Sequence, residues 1–143
     1  LKRVYLCITS IKGVGLVNAT ALMVYTNCFE YFTTARQVAS YWGVAAFREQ
    51  SGNSIDRRSG VRHLSSSMLK SYITQAAECA IQTGGIYHDY YLRLRDRGKV
   101  HGVAINNVKN KLIQLAFTLV KTNSLYEKEH EMMRSIRNLG VTA

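Results

Sequence analysis

The stretch from Gly43 to His63 is rich in glycine, serine and arginine, and it holds the residue types best suited to phosphate chemistry. Ser51 and Ser54 lie there among a set of cationic or titratable neighbours, which are Arg48, Arg57, Arg58, Arg62 and His63. A serine hydroxyl can attack a phosphodiester when nearby cations neutralise the charge that develops on phosphorus. Arginine suits this role because its planar guanidinium binds two phosphate oxygens at once. A surface turn with solvated charges has the same composition, so both interpretations stay open.

A second segment, Ile8 to Tyr25, reads ITSIKGVGLVNATALMVY and has the pattern of a helix-hairpin-helix motif. Gly13 and Gly15 allow a tight turn between helices, with backbone geometry that a Cβ would obstruct. The amides of Gly13, Val14 and Gly15 are then candidates to hold a phosphate oxygen at the N-terminus of the following helix. Such contacts position a protein on nucleic acid without reading base sequence. The alternative is that the glycines only make a turn between two helices.

Cations recur in the second half of the chain, at Arg93, Arg95, Arg97, Lys99 and His101, followed by Lys109 and Lys111. This run predicts either a second patch that contacts a nucleic-acid backbone, with Arg97 and Lys99 as its candidates, or a solvated helix end capped by Gly98. The tyrosines nearby are able to stack on bases. On an amphipathic helix, however, tyrosines more often belong to the core or to an interface. These tyrosines are Tyr87, Tyr90 and Tyr91.

The elements that must position these residues are predicted to be helices, because apolar residues recur with helical periodicity between glycine-containing turns. The predicted helices are one that ends by Ser10 and then Leu16 to Cys28, Thr34 to Tyr41, Ser65 to Thr83, Gly85 to Arg97, Val100 to Lys121 and Ser124 to Asn138. The predicted fold class is therefore all-α: a helix-hairpin-helix at 8–28, a serine-containing loop at 43–63 and a helical remainder at 65–138. The last helix carries Met132, Met133 and Ile136 at helical spacing, which is typical of a packing face or a dimer interface.

Composition limits the class of protein. The chain has 143 residues, which fits one compact domain, and 47% of them are hydrophobic, which indicates a globular chain. No apolar stretch is long enough to span a bilayer, so a membrane protein is excluded. Nineteen Lys and Arg against nine Asp and Glu give a net charge of +10, which favours a polyanionic partner. We expect a domain excised from the C-terminal part of a longer protein, because the sequence starts at Leu1 without methionine.

Neither metal nor disulfide chemistry is predicted for this chain. The carboxylates are scattered along the sequence, whereas a two-metal nuclease site needs several that converge. The histidines show no zinc-ligand spacing. Cys7, Cys28 and Cys79 are odd in number and widely spaced, which predicts reduced core thiols in a cytosolic protein.

Taken together, these segments make the chain resemble the C-terminal transposase domain of the insertion-sequence one-ten family (IS116/IS110/IS902 type), which includes the Piv and MooV DNA invertases. The resemblance runs in order from about Ile8 to Leu119. No single motif in it is specific, but their order and spacing together are. The matching residues are Gly13, Gly15 and Ala19; Gly43; Gln50, Ser51 and Gly52; Leu69, Ala76 and Ala77; Leu94, Gly98 and Lys99; Ala104; and Lys111 and Leu112.

The resemblance implies a two-domain recombinase. An N-terminal RuvC-like domain would carry four acidic metal ligands for Mg²⁺, and the present domain would carry the nucleophilic serine, which Ser51 matches. The implied reaction is attack of this hydroxyl on a scissile DNA phosphate, followed by strand exchange. The implied partners are DNA, a structured guide RNA that pairs with donor and target DNA, and further copies of the protein in a homo-oligomer. No cofactor is implied for this domain itself.

The sequence departs from the family pattern at several positions. Ala46 replaces the usual proline, Ser65 and Ser66 replace a Gly-Asn pair, and Lys70 replaces an arginine. Lys70 stays a candidate phosphate ligand, although lysine does not reproduce a bidentate arginine. Three functions follow as hypotheses: a serine recombinase domain, a noncatalytic helix-hairpin-helix module that binds nucleic acid, and a helical domain that binds proteins and whose charge serves solubility.

Overall fold

A computed structural model describes residues 1–45 and 67–126, together with the backbone of two strands at 47–51 and 55–59. The described chain folds into six helices. They are α1 (Lys2–Thr9), α2 (Leu16–Thr26), α3 (Ala35–Tyr41), α4 (Ser67–Gln82), α5 (Ile86–Asp96) and α6 (His101–Thr122). The predicted all-α class is confirmed, and each of these helices lies within a few residues of its predicted bounds.

The longest helix, α6, organises the core. Its buried face carries Val108, Leu112 and Ile113, and it packs against α1, α3, α4 and α5. Two further contacts tie its C-terminal end to the first helix of the chain. Arg3 donates to the side chain and to the backbone carbonyl of Asn123, at 3.0 and 3.1 Å. The elements made first and last in the described chain are therefore neighbours.

Local signals explain where two helices begin or end. Thr34 caps α3 in a reciprocal arrangement, in which its hydroxyl accepts from the backbone of Gln37 and the Gln37 side chain accepts from the backbone of Thr34. Helix α5 ends at the glycine that the sequence predicts. Gly98 has φ +77°, and the amides after the helix donate to the carbonyls of Leu94 and Arg95. The predicted Gly98 cap is thus confirmed.

The segment predicted as a loop at 43–63 contains a β-hairpin, so the loop prediction is wrong for its two strands. Strand β1 (Phe47–Ser51) pairs antiparallel with β2 (Ile55–Ser59), and Ser51 lies opposite Ile55 in the pair nearest the turn. The sequence contains the signal for it, since two short segments separated by a connection with Gly and Asn are typical of a hairpin. Polar residues in both runs obscured their strand pattern.

The predicted helix at Ser124 to Asn138 is only partly within the described residues. Ser124, Leu125 and Tyr126 are not helical. Instead, the amide of Tyr126 donates to the hydroxyl of Ser10 at 2.8 Å, so this stretch contacts the C-terminal end of α1. The remainder, with the predicted dimer face of Met132, Met133 and Ile136, lies outside the described residues.

Candidate nucleic-acid interface

The turn between α1 and α2 gives its two glycines different tasks. Gly13 has φ +88°, and a Cβ built on it would lie 2.4 Å from the backbone nitrogen of Ala80 in α4. No side chain fits there, so Gly13 is required by close packing of the turn against α4. A Cβ on Gly15, by contrast, meets nothing within 4 Å. The sequence pattern predicts the same role for both glycines, but only Gly15 is open.

The residues around Gly15 determine what the start of α2 offers to a ligand. Gly15 is the N-cap, with φ −80° and ψ 179°, and no side chain caps the helix there. Leu16 and Val17 are 65% and 59% exposed. Val14, in contrast, is buried, and its amide donates to the carbonyl of Ile11 at 3.1 Å. Phosphate binding at this turn stays a prediction, and Gly15 with the first amides of α2 is the part open to a phosphate.

The hairpin brings the candidate serine and most of the candidate arginines onto one pair of strands. In the backbone register, Arg48 pairs with Arg58 and Glu49 pairs with Arg57. Ser51 occupies the last position of β1 before the turn. Arg62, also predicted from the sequence to bind phosphate, lies outside the described residues. The register thus gathers Ser51, Arg48, Arg57 and Arg58 within ten strand positions.

The start of the hairpin segment is attached to α6 by two asparagines that sequence reasoning missed. The side-chain amides of Asn106 and Asn110 both donate to the carbonyl of Val44, at 3.0 and 3.2 Å. Asn106 and Asn110 lie one helical turn apart, so they share a face of α6. Their N-x-x-x-N spacing was a visible signal, but it did not reveal a partner so distant in sequence.

A second group of cations lies between α4 and α6. Lys70 is half-buried on α4, and Lys109 is half-buried on α6. Burial lowers the pKa of Lys109. The nearby carboxylate of Glu78 raises this pKa in part, and the ammonium of Lys70 lowers it further. The Lys70 predicted from the sequence to bind phosphate therefore has a second cation close by.

The lowered pKa of Lys109 predicts a pH-dependent change in stability. Lys109 binds its proton less tightly in the folded chain than in the unfolded chain, so its charge opposes folding at all pH values below the folded pKa. Stability should rise as pH rises from that pKa toward the ordinary value of 10.5. We expect Lys109→Met to raise the thermal midpoint at pH 7 and to lose this advantage above pH 10.5, as measured by circular dichroism. A midpoint difference that does not change with pH would contradict the assignment.

A third group of cations surrounds Tyr90 on α5. The Arg93 guanidinium and the Lys111 ammonium lie 5.9 and 5.6 Å from the centre of its ring. Tyr87 is buried, which confirms for it the predicted core role, while Tyr90 is half-buried against the core. The two cationic contacts on its ring were not predicted from the sequence.

The end of α5 presents the other two candidates from the sequence. Arg97 and Lys99 are both exposed, on either side of the Gly98 cap. The guanidinium of Arg95 donates to the carbonyl of Lys99 at 3.1 Å, which reinforces that cap. The cap prediction holds here, and a contact of Arg97 or Lys99 with nucleic acid stays a prediction.

Within the described part of the chain, no three His, Cys, Asp or Glu side chains cluster in a way that would hold a metal ion. The three cysteines are free, with Cys7 in the core and Cys28 and Cys79 half-buried. Among the described helices, none is both long and apolar enough to cross a bilayer. The donor set present in these residues does not fit a carboxylate-bound Mg²⁺.

Comparison with known proteins connects this geometry to a family. The chain is 34% identical over 125 residues to the "Insertion element IS110 uncharacterized 43.6 kDa protein" of Streptomyces coelicolor, which covers 84% of this chain and 29% of that protein. It is 27% identical over 128 residues to the "Pilin gene-inverting protein" of Moraxella lacunata and to that of Moraxella bovis. These two matches cover 87% of this chain and 39% of each relative. The chain thus spans well under half the length of these relatives.

The family model described as "Transposase IS116/IS110/IS902 family" matches residues 5–92. The matched range is more than half of the chain and includes the α1–α2 turn, both strands of the hairpin, and α4. The resemblance inferred from the motifs is thereby confirmed. The chain belongs to the IS116/IS110/IS902 family of transposases.

Proposed function

We propose that this chain is the DNA-binding and serine-nucleophile domain of a transposase or site-specific recombinase. The observation that carries the proposal is the family match, which spans Ser51 in its Gln-Ser-Gly setting. The backbone register supports it, because Ser51 ends β1 on the strand face that also holds the Arg57 position, while the Arg48 and Arg58 positions lie on the other face. A nucleophile that shares a basic hairpin suits attack on a phosphodiester.

The proposed reaction is a transesterification. The Ser51 oxygen forms a bond to the scissile phosphorus, and the bond from phosphorus to one deoxyribose oxygen breaks. The serine proton leaves to a base, and the released deoxyribose oxygen takes up a proton. The energy of the phosphodiester is kept in the phosphoserine link, so a second DNA hydroxyl can reverse the step and join strands without an external energy source.

The partners of the complete protein are also part of the proposal. The basic charge of +10 supports binding to a DNA backbone, with Gly15, Lys70, Arg97 and Lys99 as candidate contacts. Mg²⁺ chemistry would belong to a RuvC-like domain outside this chain. Sequence choice would come from a structured guide RNA, and the protein would act as a homo-oligomer in the cytoplasm.

Trapping of the covalent intermediate tests the function directly. The complete protein is mixed with DNA that carries the ends of its element and is quenched in detergent, and the adduct is then digested with nuclease and trypsin. We expect a nucleotide phosphodiester on the peptide Glu49–Arg57, and fragmentation should assign it to Ser51 rather than Ser54. An adduct on another residue, or strand cleavage without any adduct, would contradict the proposal.

A noncatalytic module that binds nucleic acid is the second candidate. The open start of α2 at Gly15 favours it, because that feature needs only the helical hairpin and the basic surface. This module would bind duplex DNA with a steep dependence on salt, because bound Lys and Arg release counterions. It would form no adduct in the trapping experiment, so the same measurement separates the two functions.

A further inference from the structure

The carbonyl of Val44 accepts two side-chain hydrogen bonds at the point where the chain leaves the helical core for β1. The Val44 side chain is 1% exposed, and the Val44 amide donates to the carbonyl of Ala39 at 2.8 Å. The carbonyl of Val44 accepts from both Asn106 and Asn110. The amide and the carbonyl of Val44 are therefore both hydrogen-bonded, and the residue is buried.

The helix that supplies the two asparagines packs against four of the other five described helices. Helix α6 packs on α1, α3, α4 and α5, and its apolar face lies in the core. Two amide donors on successive turns of such a helix hold their acceptor in both distance and direction, which a single hydrogen bond does not. The position of Val44 is thus set by α6 through its carbonyl and by Ala39 of α3 through its amide.

The family match ends at residue 92, so nothing in it assigns a role to these asparagines on α6. Strand β1 begins shortly after Val44, at Phe47, and ends at Ser51. Nucleophilic reactions are sensitive to position, since a displacement of about 1 Å can cost about 10²-fold in rate. A fixed origin for β1 is therefore a condition for reproducible placement of Ser51.

We propose that Asn106 and Asn110 are positioning residues for the strand-transfer reaction, because together they fix the backbone from which the serine-bearing strand starts. The proposal rests on the proposed function of Ser51. It makes these two residues of α6 part of the reaction machinery.

The test uses the complete protein and measures adduct formation at saturating DNA beside the DNA dissociation constant. Replacing both asparagines, as Asn106→Leu with Asn110→Leu, should lower the rate constant by about 10- to 100-fold and leave the dissociation constant within about twofold. Each single variant keeps one donor and should show a smaller but still measurable loss of rate. The matched control is Asn107→Leu on the same helix, since among the described residues the Asn107 amide donates within α6, to Val103 at 2.8 Å.

The outcomes separate the two proposals. A double variant that is folded and reacts at the wild-type rate, in a protein that Ser51→Ala inactivates, overturns the positioning role alone. Activity in Ser51→Ala overturns the proposed function, and the positioning role with it. If the double variant does not fold, the single variants decide: a rate loss in both that is absent from Asn107→Leu supports the role, and wild-type rates in both overturn it.

Discussion

Ser51→Ala in the complete protein should abolish recombination, with a loss of about 10⁴-fold or more, while DNA affinity stays unchanged. Alanine has no oxygen to attack phosphorus, and no arrangement of the surrounding arginines replaces that bond. Ser51 ends β1 at the turn, where a small residue is compatible with the strand pairing. The measurement is recombination between plasmid-borne ends, with DNA affinity measured in parallel by fluorescence anisotropy.

The hairpin itself provides the matched control for that experiment. Ser59 lies at the opposite end of the same strand pair, where it faces Phe47. Ser59→Ala makes the same chemical change on the same element and should leave recombination within about twofold, as is usual for substitutions away from a functional site. Equal losses in both variants would indicate that the hairpin only needs serine for its fold, and would remove Ser51 from the chemistry.

Gly13→Ala should unfold or severely destabilise the domain, which is the largest stability effect that we expect. A non-glycine residue at φ +88° is strained, and the added Cβ would lie 2.4 and 2.5 Å from two backbone atoms of Ala80. Backbone strain should cost about 1–3 kcal/mol, and overpacking should cost about 1–3 kcal/mol more. Together these costs are a large part of a typical domain stability of about 5–15 kcal/mol. Thermal and urea denaturation followed by circular dichroism measures the loss.

Gly15→Ala is the companion variant, and it separates packing from binding in the same turn. Its backbone is extended and its Cβ has open space, so the stability cost should stay below about 1 kcal/mol. The backbone amides are kept, so DNA affinity should fall about fivefold if the added methyl group keeps a phosphate from one hydrogen bond of about 1 kcal/mol at the start of α2. Unchanged affinity in this folded variant would exclude the turn from the DNA interface.

For Gly13→Ala the contradicting outcome is different. Wild-type stability in that variant would contradict the close packing of Gly13 on Ala80.

The helices were predictable because their signals are local. Apolar periodicity, the Thr34 capping pair and the Gly98 cap each involve residues within a few positions of one another. The hairpin was harder to predict, because β1 and β2 contain mostly polar residues, and the pairing partners of such strands are not specified by an alternating apolar face. The Gly-Asn connection was the usable signal.

The candidate site was predictable only in part, because some of its contacts join residues that are far apart in the sequence. The residues predict phosphate chemistry around Ser51, but the role of a nucleophile came only with the family resemblance. The pattern Gly13-x-Gly15 predicts a turn, yet only the fold shows that Ala80 lies beneath the first glycine. The bond from Asn110 to Val44 joins residues on separate elements, and no local pattern specifies such a pair.

The pairing of α1 with α6 also determines when the domain can form during synthesis. Within this domain α1 is synthesised before α6, the helix against which it packs and whose C-cap residue, Asn123, accepts the hydrogen bonds of Arg3. The first helix must therefore wait for nearly the whole described chain, and contacts of such long sequence separation form slowly. Chains that stop before α6 would lack the helix against which α1, α3, α4 and α5 pack, so incomplete copies of this domain should be removed by proteases rather than accumulate.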